Sequence, residues 1–220
     1  MVDSGGTLQL IGSGSLASAV ALNGGALDID ESLSISGAIT HSASSSIDVA
    51  SGKALSYSGA AISLGANTLT IAGAGILSNT NAFVLENQAS VLKLSGTNTI
   101  SGPMSLNAGL VDADESSTLS SDLTLGGSAT IDLALYKTLT YGGASLALGA
   151  NTLTIGGTGI LSNTNALVLG DPASVLKLFG TNTVSGPVSL DAGTIDVEES
   201  SALSGNLTLG GSATVDVVQG

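Results

Sequence analysis

Short runs in which apolar and polar residues alternate fill this chain, as in Thr7-Leu8-Gln9-Leu10, Leu92-Lys93-Leu94 and Leu123-Thr124-Leu125. Alternation is the period of a strand with one buried face, and the Gly, Ser and Asn residues that break the runs mark corners. No stretch combines a helical period with a capped start, so an all-β chain of many short strands is expected.

Repetition organises the runs. The segment from Tyr57 contains LGANTLTI, GILSNTNA and ASVLKL; all three return after Tyr141, an offset of 84 residues (141 − 57) with no gap. The same offset relates residues 7–32 to 91–116, and those to 175–200. The chain therefore reads as one unit made of a partial copy (1–52) and two full copies (53–136 and 137–220). Each full copy divides into four units of about 19 to 25 residues. A unit this short cannot bury its apolar face alone; stacked units share a continuous core and a parallel sheet. Three runs and three corners per unit describe one coil, so the expected fold is a right-handed parallel β-helix, a three-sided β-solenoid of about ten coils.

Differences between copies follow that scheme. Ile100/Val184, Met104/Val188, Val111/Ile195, Ile131/Val215 and Leu133/Val217 exchange apolar residues, as a close-packed interior requires. Changes of charge or polarity, such as Glu86/Gly170, Asn87/Asp171 and Asp122/Asn206, fall at breakers or outward positions. With Leu92 and Val111 both inward one coil apart, Lys93 is expected beside Asp112, and Lys177 beside Asp196.

Composition narrows the picture further. Only three Tyr and two Phe accompany the aliphatics, with no Trp and no Cys, which suits a narrow regular interior. Seventeen acidic residues against four Lys or Arg give a net charge of −13. That excludes nucleic acid and anionic membrane surfaces as expected partners, because phosphate binding needs free cations. No apolar run reaches the length of a spanning helix, and five aromatics cannot form the girdles of a membrane barrel, so no membrane insertion is expected. Met1-Val2-Asp3-Ser4-Gly5-Gly6 lacks the basic start and apolar stretch of a secretory leader. Met1 is accordingly read as an initiator on a segment of a longer protein.

The run SGTNTISGPMSLNAG (95–109), its second form FGTNTVSGPVSLDAG (179–193) and the repeated LTLGGSAT resemble the strand repeats of autotransporter passenger domains and related bacterial adhesins. The resemblance implies a secreted right-handed β-helix at the bacterial cell surface that holds other parts away from the cell. The chain departs from that family in its near-perfect 84-residue repetition.

Acidic clusters recur at Asp28/Asp30/Glu31, Asp112/Asp114/Glu115 and Asp196/Glu198/Glu199. Carboxylates are the ligands calcium prefers, yet alternation turns these outward and four coils separate one cluster from the next, which favours solvated surface charge. Paired carboxylates could serve glycoside hydrolysis, but no Arg and no neighbouring aromatic accompanies them in sequence. His41 is the one histidine and aligns with Leu125 and Leu209, so it is expected in or beside an apolar position. Serines lack a base and the glycine runs lack a phosphate-loop Lys. Thr68-Leu69-Thr70, Thr97-Asn98-Thr99 and Thr152-Leu153-Thr154 raise ice binding, which would need regular arrays. No catalytic, cofactor-binding or metal-binding residue is assigned, no cofactor is expected, and the chain is not read as an enzyme. Two functions are expected: a rigid structural or adhesive spacer, or a binding module using one outer face for carbohydrate, ice or calcium. Expected partners are a host surface or carbohydrate ligand and, through end-to-end self-association, further copies of the chain.

Overall fold

Each alternating run folds as a strand with its apolar residues inward, and each corner passes the chain to the next of three faces. In the computed structural model, described over residues 1–218, strands pair in parallel with their counterparts one coil away, giving a β-solenoid of about ten turns. The long sheet holds 11 strands, from Thr7–Leu10 to Ala213–Val218. A second sheet holds 10, from Gly14–Leu16 to Ala202–Leu203. At a strand spacing of about 4.8 Å the long sheet extends about 50 Å along the axis. Among the described residues there is no helix, and so none long and apolar enough to cross a membrane.

The core is a stack of equivalent, mostly aliphatic positions. On the long sheet Leu69, Leu92, Val111, Ile131, Ile155 and Leu178 stand over one another in register, all buried. Fully burying one such side chain stabilises by about 1.5–3 kcal/mol, so each coil holds the next. The expected exchanges Ile100/Val184, Met104/Val188 and Val111/Ile195 are all at buried positions. Corners are closed by short polar side chains: the hydroxyl of Ser44 accepts the amide of Thr68, and that of Ser128 accepts the amide of Thr152.

The third face is interrupted twice. It consists of three strands ending at Ile39–Ala43, four from Ile62–Ser63 to Leu123–Leu125, and four from Leu146–Ala147 to Leu207–Leu209. Elsewhere on this face the first amide of a strand donates to a carbonyl of the following coil, as Phe83 does to Pro103 and Met104 to Asp122. At the two breaks a buried tyrosine takes that role. The Tyr57 hydroxyl accepts the amide of Ile39 (3.0 Å) and donates to the carbonyl of Ala60 (2.7 Å). One repeat later the Tyr141 hydroxyl accepts the amide of Leu123 (3.2 Å) and donates to Ala144 (2.7 Å). Two of the three tyrosines and Phe83 thus lie inside, so the interior is less purely aliphatic than the composition suggests.

Candidate functional site

Outward residues of the long sheet and of the corner that follows it form ion pairs between coils. Lys93 is the register partner of Asp112, as expected, with its ammonium 2.9 Å from that carboxylate and 2.5 Å from Asp114. Lys177 is likewise partnered with Asp196, but its closer contact is Glu198 at 2.6 Å, against 3.7 Å for Asp196. Hydrogen bonds to these carboxylates raise both lysines above the ordinary ammonium range. Lys53 meets Glu31 at 2.6 Å and Lys137 meets Glu115 at 2.5 Å. All four ammonium groups are therefore held by acids of an adjoining coil. Each pair is partly solvated, so it helps register more than stability.

Stacking also aligns like charges, which the acid-cluster reading missed. Asp28 stands opposite Asp48, Asp112 opposite Asp132, and Asp196 opposite Asp216. Burial first, then Asp30 and Asp48, push the Asp28 carboxyl up from the usual range. Like charges directly opposite across a ladder destabilise it slightly. Among the described residues no group of three or more His, Cys, Asp or Glu is placed to hold a metal ion.

The threonine triplets do not form one array. Thr68 and Thr70 face outward on the long sheet, where their partners one coil on are Val91 and Lys93. Thr152 and Thr154 meet Val175 and Lys177. Thr99 belongs to the second sheet, opposite Thr118 and Ile76. Hydroxyl rows are thus cut by aliphatic and charged residues within a coil or two.

His41 sits opposite Leu22 at a register irregularity just before the first break in the third face. Both ring nitrogens are buried without a hydrogen-bond partner. Burial pushes its pKa down; the carbonyls of Ala43 and Ser63 and the Glu86 carboxylate oppose this, but neither carbonyl meets hydrogen-bond geometry. A ring so placed cannot take a proton from a surface serine.

Concave surface is shallow and recurs with the repeat. At the corner between the third face and the long sheet, Gly25, Ser44, Ser46 and Thr70 line one groove. Gly109, Ser128, Thr130 and Thr154, each 84 residues on, line a second. Hydroxyls and backbone dominate both. Stacking further gathers aliphatic and aromatic residues that sequence order keeps apart: Leu135, Tyr136, Ile160 and Phe179, all exposed, occupy one corner on three successive coils. The signal for them was there, because Tyr136 and Phe179 stand where Gly52 and Ser95 stand one repeat earlier.

Comparison of the chain with known protein families, with curated proteins and with solved structures finds no match. What can be assigned beyond the β-solenoid rests on the geometry above.

Proposed function

We propose that this chain is a rigid spacer of a large bacterial cell-surface or secreted protein, structural and adhesive in role and not catalytic. The observation that carries this reading is the division of labour in the repeat. The inward rows are predominantly aliphatic, broken only at positions such as Ser45, Asn79 and Ser117, whereas the outward rows mix Thr, Val, Lys, Asp and Gly and align no single chemistry along the rod. Each added 84-residue copy contributes four coils, about 19 Å of length, with no new chemistry. Small-angle scattering on chains carrying one and two extra copies tests this. The maximum dimension should grow by that increment per copy, and a non-linear or absent increase rejects the spacer.

The recurring hydroxyl-lined grooves favour a second reading, a module that holds a neutral carbohydrate along one corner. Binding of a soluble oligosaccharide lost on Ser128→Val with Thr154→Val would support it. End-to-end contact between chains is proposed on a separate observation. The last described coil exposes Leu207, Leu209, Val215, Val217 and Val218, and the opposite end exposes Ile11. Such a contact is head-to-tail and propagates without closing. Added salt should strengthen it by screening the charge of −13, and light scattering that stays monomeric at high protein and salt refutes it.

A further inference from the structure

Only two non-glycine residues among those described have a left-handed backbone, Tyr136 and Glu199, both at φ 60°. Both lie at the corner between the long and second sheets, in coils three apart. Between them, on the intervening coils, stand Ile160 and Phe179. Relative exposures are 55% for Leu135, 88% for Tyr136, 38% for Ile160 and 49% for Phe179. The repeat supplies an internal control. One repeat (84 residues) earlier, Ser51, Gly52 and Ser95 stand where Leu135, Tyr136 and Phe179 stand here, and Gly52 adopts φ +73° without strain. The fold therefore needs neither the apolar side chains nor a tyrosine in that conformation. A strained, solvated aromatic that folding does not require is an observation from which function can be inferred. Exposed apolar residues gathered at one corner on three successive coils point to a docking surface.

Charge selects the occupant. All four lysines are engaged by acids, so the patch offers no free cation. Two carboxylates flank it without an ion-pair partner among the described residues. Asp132 is the register partner of Gly156, beside which Phe179 follows Leu178. Glu199 borders the far side. Aliphatic Leu135 and Ile160 between the rings suit apolar side chains better than sugar hydroxyls.

We propose that this corner docks a partner protein through a segment in which apolar side chains alternate with lysine or arginine. Leu135, Tyr136, Ile160 and Phe179 receive the apolar side chains, and Asp132 and Glu199 receive the cations. This goes beyond the spacer reading and does not depend on it, because a rod of any length increment would still carry the patch.

The test uses a fluorescein-labelled peptide alternating lysine with leucine and tryptophan, and the same peptide with glutamate for lysine, followed by anisotropy. The triple variant Leu135→Ser, Tyr136→Gly, Phe179→Ser restores what stands one repeat earlier, so it should fold, with unchanged circular dichroism. It keeps the net charge, so diffuse attraction is common to both proteins. The lysine peptide should bind the native chain at least about ten-fold tighter than the triple variant, as loss of an interface anchor implies. The glutamate peptide should not bind. Asp132→Asn with Glu199→Gln should weaken binding at least about three-fold and flatten its salt dependence. Equal binding to native and triple variant, or none to either, overturns the proposal. No effect of the double variant overturns the choice of a basic partner. Cellohexaose bound by the native chain and not by the triple variant, with no discrimination by the peptide, overturns it in favour of a glycan.

Discussion

Removing one oxygen at Tyr141 should reveal how the interruption of the third face is tolerated. In Tyr141→Phe the ring still fills its buried place, but the amide of Leu123 loses the acceptor 3.2 Å away and the carbonyl of Ala144 loses its donor at 2.7 Å. The two losses are unequal. Ala144 is exposed and its carbonyl can turn to water, whereas the bond to Leu123 is buried. An orphaned buried amide costs about 1–3 kcal/mol, and that is the expected loss of stability. Tyr57→Phe should cost the same through Ile39, and the sites are far enough apart that the double variant should lose about 2–6 kcal/mol. Tyr136→Phe, with its ring in solvent, should cost nothing measurable. Urea unfolding followed by circular dichroism gives the global effect. Coils of a solenoid can open separately, so hydrogen exchange at the Leu123 amide gives the local one, which should lose protection. The pH dependence is a further check. Burial, with Asp122 adding to it and the Leu123 amide opposing, holds the Tyr141 hydroxyl above the ordinary phenol range. A group whose proton is held more tightly in the folded state stabilises fully below its unfolded pKa of about 10, and that contribution is lost as the pH rises above it. Alkaline destabilisation should therefore be smaller in Tyr141→Phe than in the native chain. A variant as stable as the native protein with Leu123 still protected, or a Tyr136→Phe equally destabilised, would refute the bridging role.

Gly96→Ala should be among the costliest small substitutions, by about 2–4 kcal/mol, because a Cβ there would meet the backbone carbonyl of Gly73 on the coil below. Gly170→Ala, which meets nothing, should be close to neutral in the same urea assay. His41→Leu installs what the later copies carry and removes two unpartnered buried nitrogens, so it should stabilise by about 1–2 kcal/mol at neutral pH. Because burial lowers the His41 pKa, its neutral form is the one the fold accepts. Stability should be retained above the unfolded value near 6.5 and lost as the pH falls below it, and the leucine variant should lack that acid-sensitive step in thermal unfolding. An identical acid profile in both proteins would count against it.

Much of the fold was legible in the linear order of residues, for a physical reason particular to solenoids. Every strand pairs with the strand of the same face one coil away, and the same sequence returns four coils on, so register follows from alternation and coil length, and Lys93 beside Asp112 could be expected from them alone. The inward positions of Leu92 and Val111, and the apolar neighbourhood of His41 opposite Leu22, were readable in the same way. What the order of residues did not contain was anything decided between coils of unequal length. The buried Tyr57 and Tyr141 hydroxyls replace backbone carbonyls only where the third face breaks, and nothing in their sequence neighbourhood announces that break. Asp112 and Asp132 are separated by a full coil in sequence and become direct neighbours only through pairing. Leu135, Tyr136, Ile160 and Phe179 are scattered over three coils, and one patch arises because stacking projects the same corner of each coil onto one edge of the rod. Alternation decides which side of the wall a residue faces. Which residues of distant coils meet on that side depends on loop length, and only the stacked structure resolves it.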